Sequence, residues 1–248
     1  MKPRVAFFDF ASCEGCQLQI ANLEEEILDL INIVDIVSFR EVMKEHSDDY
    51  DIAFIEGSIM RPIDEKRLRK IRSRAKILVA LGACACIGGV NKLRNQWPVD
   101  NVKKEVYGDA DIKDNDFFDA FETKSVNEVV PVDYYIYGCP INRDEFKKVV
   151  TSLALGKKPD IPNYPVCVEC KKNENICLFE QGEFCLGPIT RAGCNAICPT
   201  NNAACDGCRG ILKEPQVECV KDILKRYNLT YEEMKSRSKI YNYGMEEK

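Results

Sequence analysis

The chain has 248 residues, 45% of them hydrophobic, and carries a formal charge of −5 with a single histidine. That length supports one α/β core plus a smaller appended domain. No run approaches the 18 or so apolar residues of a membrane span, and the basic residues Lys171, Lys172, Arg191 and Arg209 are too scattered to form a nucleic-acid stripe.

In chain order, residues 5–10 (VAFFDF) read as a buried first strand rather than a targeting signal, because Asp9 interrupts the run and no small-residue cleavage site follows. A loop with Cys13 and Cys16 comes next, then a helix over 17–30 with apolar Leu18, Ile20, Ala21, Ile27 and Leu28. Strands are expected over 33–39, 51–56, 76–81 and 133–137, and charged helices over 63–73 and 144–155. A polar insertion over 95–129 carries the one tryptophan, Trp97. Short β-branched runs alternating with charged helices predict a parallel, doubly wound sheet. Ligands of such sheets sit outside the carboxyl ends of the strands. Every cysteine of this half falls on a loop just after a strand: Cys13 and Cys16 after the first, Cys84 and Cys86 after the fourth, Cys139 after the fifth. The aromatics Tyr134, Tyr135 and Tyr137 read as strand packing.

Past Pro159 the composition changes. Eight cysteines lie between Cys167 and Cys208 with frequent glycine and proline and few apolar residues. Such a segment is expected to depend on bound metal for its fold. The remainder predicts two short helices, the second opened by the capping box Thr230-Tyr231-Glu232-Glu233. The domain reading is therefore 1–160 for the α/β unit and 161–248 for a cysteine-rich domain with a helical tail.

Fourteen cysteines dominate the chemistry. A disulfide framework belongs to small secreted chains, and this αβ pattern needs no staples. With only His46, in a polar stretch, histidine-based metal chemistry is nearly excluded, which leaves thiolate ligation of zinc or iron–sulfur clusters. Cys13 and Cys16 with Cys84 and Cys139 supply four thiolates, and Cys86 is spare. A cluster, a zinc ion and, for Cys13 and Cys16, a redox pair all remain open on this spacing. In the second half, Cys167-x2-Cys170-x6-Cys177-x7-Cys185 and Cys194-x3-Cys198-Pro199-x5-Cys205-x2-Cys208 make two further four-thiolate sets, for clusters or zinc. Cys219 lies beyond them and is expected to be a buried thiol.

The set Ser12-Cys13-Glu14-Gly15-Cys16-Gln17, Gly82-Ala83-Cys84-Ala85, Tyr137-Gly138-Cys139-Pro140, the run from Cys185 to Cys194, and Cys205-Asp206-Gly207-Cys208-Arg209-Gly210 resembles the small subunit of [NiFe]-hydrogenases. The likeness is to the delta type of cytoplasmic, NAD(P)-linked hydrogenases and sulfhydrogenases, and it runs from Val5 to about Met234. It implies a flavodoxin-like domain holding a proximal [4Fe-4S] cluster on Cys13, Cys16, Cys84 and Cys139. It further implies a distal cluster on Cys167, Cys170, Cys177 and Cys185, and a medial one on Cys194, Cys205 and Cys208, with Cys198 as a fourth ligand making it [4Fe-4S]. Cys84 takes the family's ligand position ahead of Cys86.

The resemblance also implies an enzyme complex. A nickel–iron centre in a partner large subunit splits H2, this chain carries the electrons, and partners with further clusters and FAD reduce NAD(P)+. No catalytic residue is expected here, although Glu14 between two ligands is a candidate proton relay, or else a solvated carboxylate. Arg191 is expected either to donate toward a cluster or to form a surface salt bridge. The missing twin-arginine leader of exported relatives implies a cytoplasmic location. Two rivals stand beside this reading. One is an F420-reducing or heterodisulfide-reductase-linked hydrogenase; the other is a structural zinc-binding interaction protein. Sulfur reduction is implied by the family, but no residue marks it.

Overall fold

The computed structural model describes residues 2–108 and 118–244; residues 109–117 of the expected insertion lie outside them. Five strands form one all-parallel sheet: β1 (Arg4–Asp9), β2 (Asp35–Ser38), β3 (Ile52–Glu56), β4 (Ile77–Leu81) and β5 (Tyr134–Ile136), in the spatial order β2-β1-β3-β4-β5. This is the flavodoxin-like doubly wound order. The α/β expectation holds, and each expected strand forms with neither end moved by more than two residues.

Alternation along the strands explains why both faces are covered. Val5, Phe7, Ile52, Phe54, Val79 and Leu81 face one apolar layer, while Ala6, Ala53, Ile55, Leu78 and Ala80 face another. The first layer is closed by α1 (Gly15–Ala21), α2 (Glu26–Ile33) and α6 (Arg143–Ala154), through Ile20, Leu30, Phe146, Val149, Val150 and Leu153. The second is closed by α3 (Pro62–Arg74) and α4 (Gly82–Ile87), through Leu68, Ile71, Ala83, Ala85 and Ile87. Pro62 at the first turn of α3 and the Asn142 side chain, which accepts the N–H of Glu145, fix two of these helix starts.

The single helix expected over 17–30 is two helices. Glu24 takes a left-handed backbone (φ 54°), which an α-helix interior does not accommodate, and the break turns Leu23 into the core. The insertion also contains structure, α5 (Val99–Tyr107) and a 3-10 turn at Val126–Glu128, and a further 3-10 turn over Gly89–Gln96 leads into it.

After α6 come short elements: α7 (Val166–Lys172), a 3-10 turn at Leu178–Gln181, α8 (Ile197–Thr200), then α9 (Val217–Arg226) and α10 (Tyr231–Asn242). They enclose a third, smaller apolar cluster to which Cys185 and Cys205 themselves belong. The capping box at Thr230 and Glu233 forms. α10 then returns to the first half, packing on α4 and the Gly89–Gln96 turn. Among the described residues no helix is long and apolar enough to cross a membrane.

Candidate metal centres

The sheet register sets up the first site. Asp9 pairs with Glu56, Glu56 with Leu81 and Leu81 with Ile136, so four strands end on one row. The segments that leave this row carry Cys13 and Cys139 on loops, Cys16 in the first turn of α1 and Cys84 in α4. Two of the four thus stand on helix starts rather than on the expected loops, and the segments bring them together. A Cβ on Gly82 would stand 2.3 Å from Cys16 Sγ and 3.5 Å from the Gly138 carbonyl, so β4, β5 and the β1 loop meet at one point that only glycine permits. The Cys84 thiol is pushed up to about 12 by burial, with the charges of Cys139 and Cys13 adding to it. Burial first, then Cys13, also raises Cys139. Burial and the charge of Glu56 push Cys16 far above its ordinary value. Burial raises these thiols, and Cys13, Cys84 and Cys139 lie close enough to act on one another through their charges. Cys13 and Cys139 are exposed, so the site opens on one face of the molecule.

Cys86 points elsewhere. It is buried in the second apolar layer and its thiol donates toward the Ala80 and Ile136 carbonyls at 3.5 Å. The helical turn of α4 thus separates Cys84 from Cys86 and leaves only Cys84 facing the other three.

Glu56 is the residue that sequence reasoning missed. It is 2% exposed and its carboxylate accepts the N–H groups of Cys16 at 3.0 Å and Gln17 at 2.9 Å. It thereby satisfies the free N–H groups at the start of α1 and fixes the Cys13–Cys16 turn. Burial raises its pKa against the pull of those donors. The available signal was an acidic residue closing an otherwise apolar strand, IAFIE. Glu14 adopts a left-handed backbone (φ 59°) ahead of α1, and burial, then Glu41 and Asp9, raise its pKa.

The second half brings its eight cysteines into two groups. Cys167 is pushed up to about 12 by burial, with Cys185, Cys170 and Cys177 adding to it. The four line one small cleft with Gly187, where a Cβ would lie 3.3 Å from Cys167 Sγ and 3.4 Å from Cys185 Sγ. Sulfur-directed donors surround this set: the N–H groups of Gly187 and Cys205 reach Cys185 Sγ at 3.5 and 3.3 Å, and the Asn175 amide reaches Cys170 Sγ at 3.7 Å. Cys194, Cys198, Cys205 and Cys208 line a cavity of about 420 Å3 whose wall also includes Cys139, so it adjoins the first set. Cys208 is pushed up to about 12 by burial, then by Cys194 and Cys198; Cys205 is raised by burial, then by Cys185 and Cys208. Among the described residues no three His, Cys, Asp or Glu side chains close tightly enough to hold one ion. The donors of each set are thiols, with N–H groups aimed at Cys185 Sγ, and an all-sulfur donor set of this kind suits a thiolate-bound group such as an iron–sulfur cluster or zinc.

Two buried arginines hold this region to the sheet domain. Arg209, 1% exposed, pairs with Glu145 of α6 at 2.7 and 2.8 Å and donates to the Tyr137 and Ala192 carbonyls. Arg191 is not on the surface as a salt bridge would require; it is buried, its guanidinium lies 4.2 Å over the Tyr137 ring, and it donates to the Arg209 carbonyl. Tyr137 and Tyr135 stack at 5.7 Å, as strand packing predicts. Cys219 departs from expectation: it is exposed, because α9 buries Val220 and Leu224 and turns residue 219 to the opposite side.

Comparisons with known proteins fit this geometry. The model of the family described as NADH ubiquinone oxidoreductase, 20 Kd subunit, matches residues 13–153. The delta subunit of sulfhydrogenase 2 from Pyrococcus furiosus is 34% identical over 90% of this chain and 92% of its own. A subunit of the vhu F420-non-reducing hydrogenase of Methanococcus voltae is 32% identical over 84% of this chain and 82% of its own. A chain in the crystal structure of an NAD+-reducing [NiFe]-hydrogenase in the H2-reduced state superposes with a TM-score of 0.58 at 30% identity, covering 65% of this chain and 96% of that one. About a third of the present chain therefore has no counterpart there, whereas the sulfhydrogenase relative spans nearly all of it. From its strand order, its cysteine-bearing strand ends and these likenesses, the chain belongs to the [NiFe]-hydrogenase small-subunit family, within the wider family of NADH ubiquinone oxidoreductase 20 kDa subunits.

Proposed function

We propose that the chain is the electron-carrying subunit of a hydrogenase complex and that it holds three [4Fe-4S] clusters. The proximal one would sit on Cys13, Cys16, Cys84 and Cys139, the medial one on Cys194, Cys198, Cys205 and Cys208, and the distal one on Cys167, Cys170, Cys177 and Cys185. The observation that supports this reading is that Cys167, Cys170, Cys177 and Cys185 line one cleft, while Cys194, Cys198, Cys205 and Cys208 line a second cavity that reaches Cys139 at the strand ends. When bound, the clusters supply one-electron transfer between the nickel–iron site of a large subunit and a partner with FAD and further clusters that reduces NAD(P)+.

The chain's own residues set where those electrons stop. Glu56 aims the Cys13–Cys16 turn, the open face at Cys13 and Cys139 awaits the large subunit, and N–H donors at Cys185 and Cys170 stabilise charge on the distal sulfurs. A second reading changes only the acceptor. That acceptor would be a heterodisulfide reductase in place of the NAD(P)+-reducing partner, and the likeness to a component of an F420-non-reducing hydrogenase supports an acceptor other than F420.

The test is metal analysis of the complex purified anoxically through a tag on this chain. About one nickel, roughly twelve or more irons, acid-labile sulfide and a copurifying flavoprotein are expected. Iron without nickel in an intact complex would end the hydrogenase role and leave the wire. Stoichiometric zinc without sulfide would replace both with a structural zinc protein.

A further inference from the structure

We infer that Glu169, on the helix of the distal site, is the residue that positions the Cys194 loop of the medial site and holds that cluster's potential low. The inference rests on the proposed grouping of the cysteines. α7 carries Cys167 and Cys170, and Glu169 lies between them, yet its carboxylate leaves the distal set altogether. It accepts the N–H of Gly193 at 2.8 Å and of Ala196 at 3.1 Å, and stands 4.0 Å from Cys194 Sγ.

The loop is shaped to receive it. Gly193, Asn195 and Ala196 all have positive φ (116°, 56° and 48°), and the turn they make points the Gly193 and Ala196 N–H groups at one carboxylate. Ala196 adopts its left-handed backbone while fully buried, so a specific contact must hold it there. From the neighbourhood of the same helix the Asn173 amide donates to the Asn195 carbonyl at 2.8 Å, giving the loop a second tie to the end of α7. On the opposite side, Arg209 Nη2 occupies the place where a Cβ on Gly193 would come within 2.2 Å, and Arg209 Nε donates to the Ala192 carbonyl at 2.7 Å. Cys194 is thus clamped between a carboxylate and a guanidinium, and the two act on its thiol in opposite senses, Arg209 lowering and Glu169 raising, beneath a larger effect of burial.

A negative charge that close to a ligand sulfur disfavours an added electron, so it lowers the reduction potential of whatever cluster Cys194 holds. Arg209 has a partner of its own in Glu145, whereas Glu169 is the charge contributed from the neighbouring site. The distal helix therefore sets both the shape and the energy of the medial step.

The experiment compares wild type with Glu169→Gln in the anoxically purified complex, using iron content and a redox titration followed by electron paramagnetic resonance. The medial signal is identified by its loss in Cys198→Ser. Glu169→Gln should keep its full iron content, move the medial midpoint upward and leave the other two where they were. Glu169→Ala, which releases the loop, should lose about a third of the iron, one cluster of the proposed three. Three unchanged midpoints in the Gln variant, or a shift confined to another cluster, would overturn the role given to Glu169 while leaving the three-cluster reading intact. Fewer than three clusters in the wild type would overturn that reading, and this inference with it.

Discussion

The two halves of the chain hold their cysteines by opposite means. In the sheet half, apolar layers on both faces are complete without a single cluster-facing thiol other than Cys16, and the candidate ligands stand on the loops and helix starts at the end of a finished scaffold. In the cysteine-rich half, Cys185 and Cys205 are members of the apolar cluster, with Cys170, Cys177 and Cys194 packed against it, so the thiols are part of the scaffold. A site that rests on regular structure can be emptied with little loss of fold, because its residues stay where the sheet puts them. A site that constitutes its own core cannot.

The largest expected effect follows directly. Stripping iron from the purified chain should make residues 161–212 sensitive to protease while slow amide exchange persists in β1, β3 and β4; collapse of both halves together would break the contrast. Next comes the joint between them. Glu145→Gln leaves Arg209 buried without its counter-charge and should cost about 3–5 kcal/mol, read as a lower denaturation midpoint; a loss below about 1 kcal/mol would mean the halves are not held there. A smaller effect belongs to the sheet half alone. Hydrogen bonds from Arg4, then Lys76, hold Asp51 well below the usual carboxylate range, tying the starts of β1, β3 and β4 together. A depressed carboxylate stabilises the fold above its unfolded pKa of about 3.9, and that contribution fades as pH falls through the folded value. Asp51→Asn should therefore cost about 1–2 kcal/mol at neutral pH and progressively less below about pH 4; a penalty that persisted undiminished at about pH 2 would contradict this account. The smallest effect is Cys219→Ser, expected within about 0.5 kcal/mol and with iron content unchanged, since that thiol faces solvent.

Much of the sheet half is legible in the sequence because its signals are local. A short, nearly continuous apolar run between charged helices marks each strand, and the strand ends place Cys13, Cys16, Cys84 and Cys139 in one region. The choice between Cys84 and Cys86 needs the helical turn of α4, which aims them at different surroundings. What stays hidden are polar residues whose partners lie far along the chain: Glu56 under the Cys16 turn, Glu145 with Arg209, and Glu169 under the Cys194 loop. Nothing in a charged side chain's immediate neighbours distinguishes a buried partner from a solvated one, so Arg191 passes for a surface residue. Cys219 misleads for the converse reason. A thiol's general preference for burial says nothing of the face of α9, which Val220 and Leu224 have already claimed.

The return of α10 to the first half makes one cavity depend on both ends of the fold. Tyr241 packs beside the sheet and lines the same cavity as Cys139. The pocket beside Cys139 is thus walled by a helix that lies past the whole cysteine-rich segment, so loosening α10 would widen the approach to Cys139 without disturbing a strand.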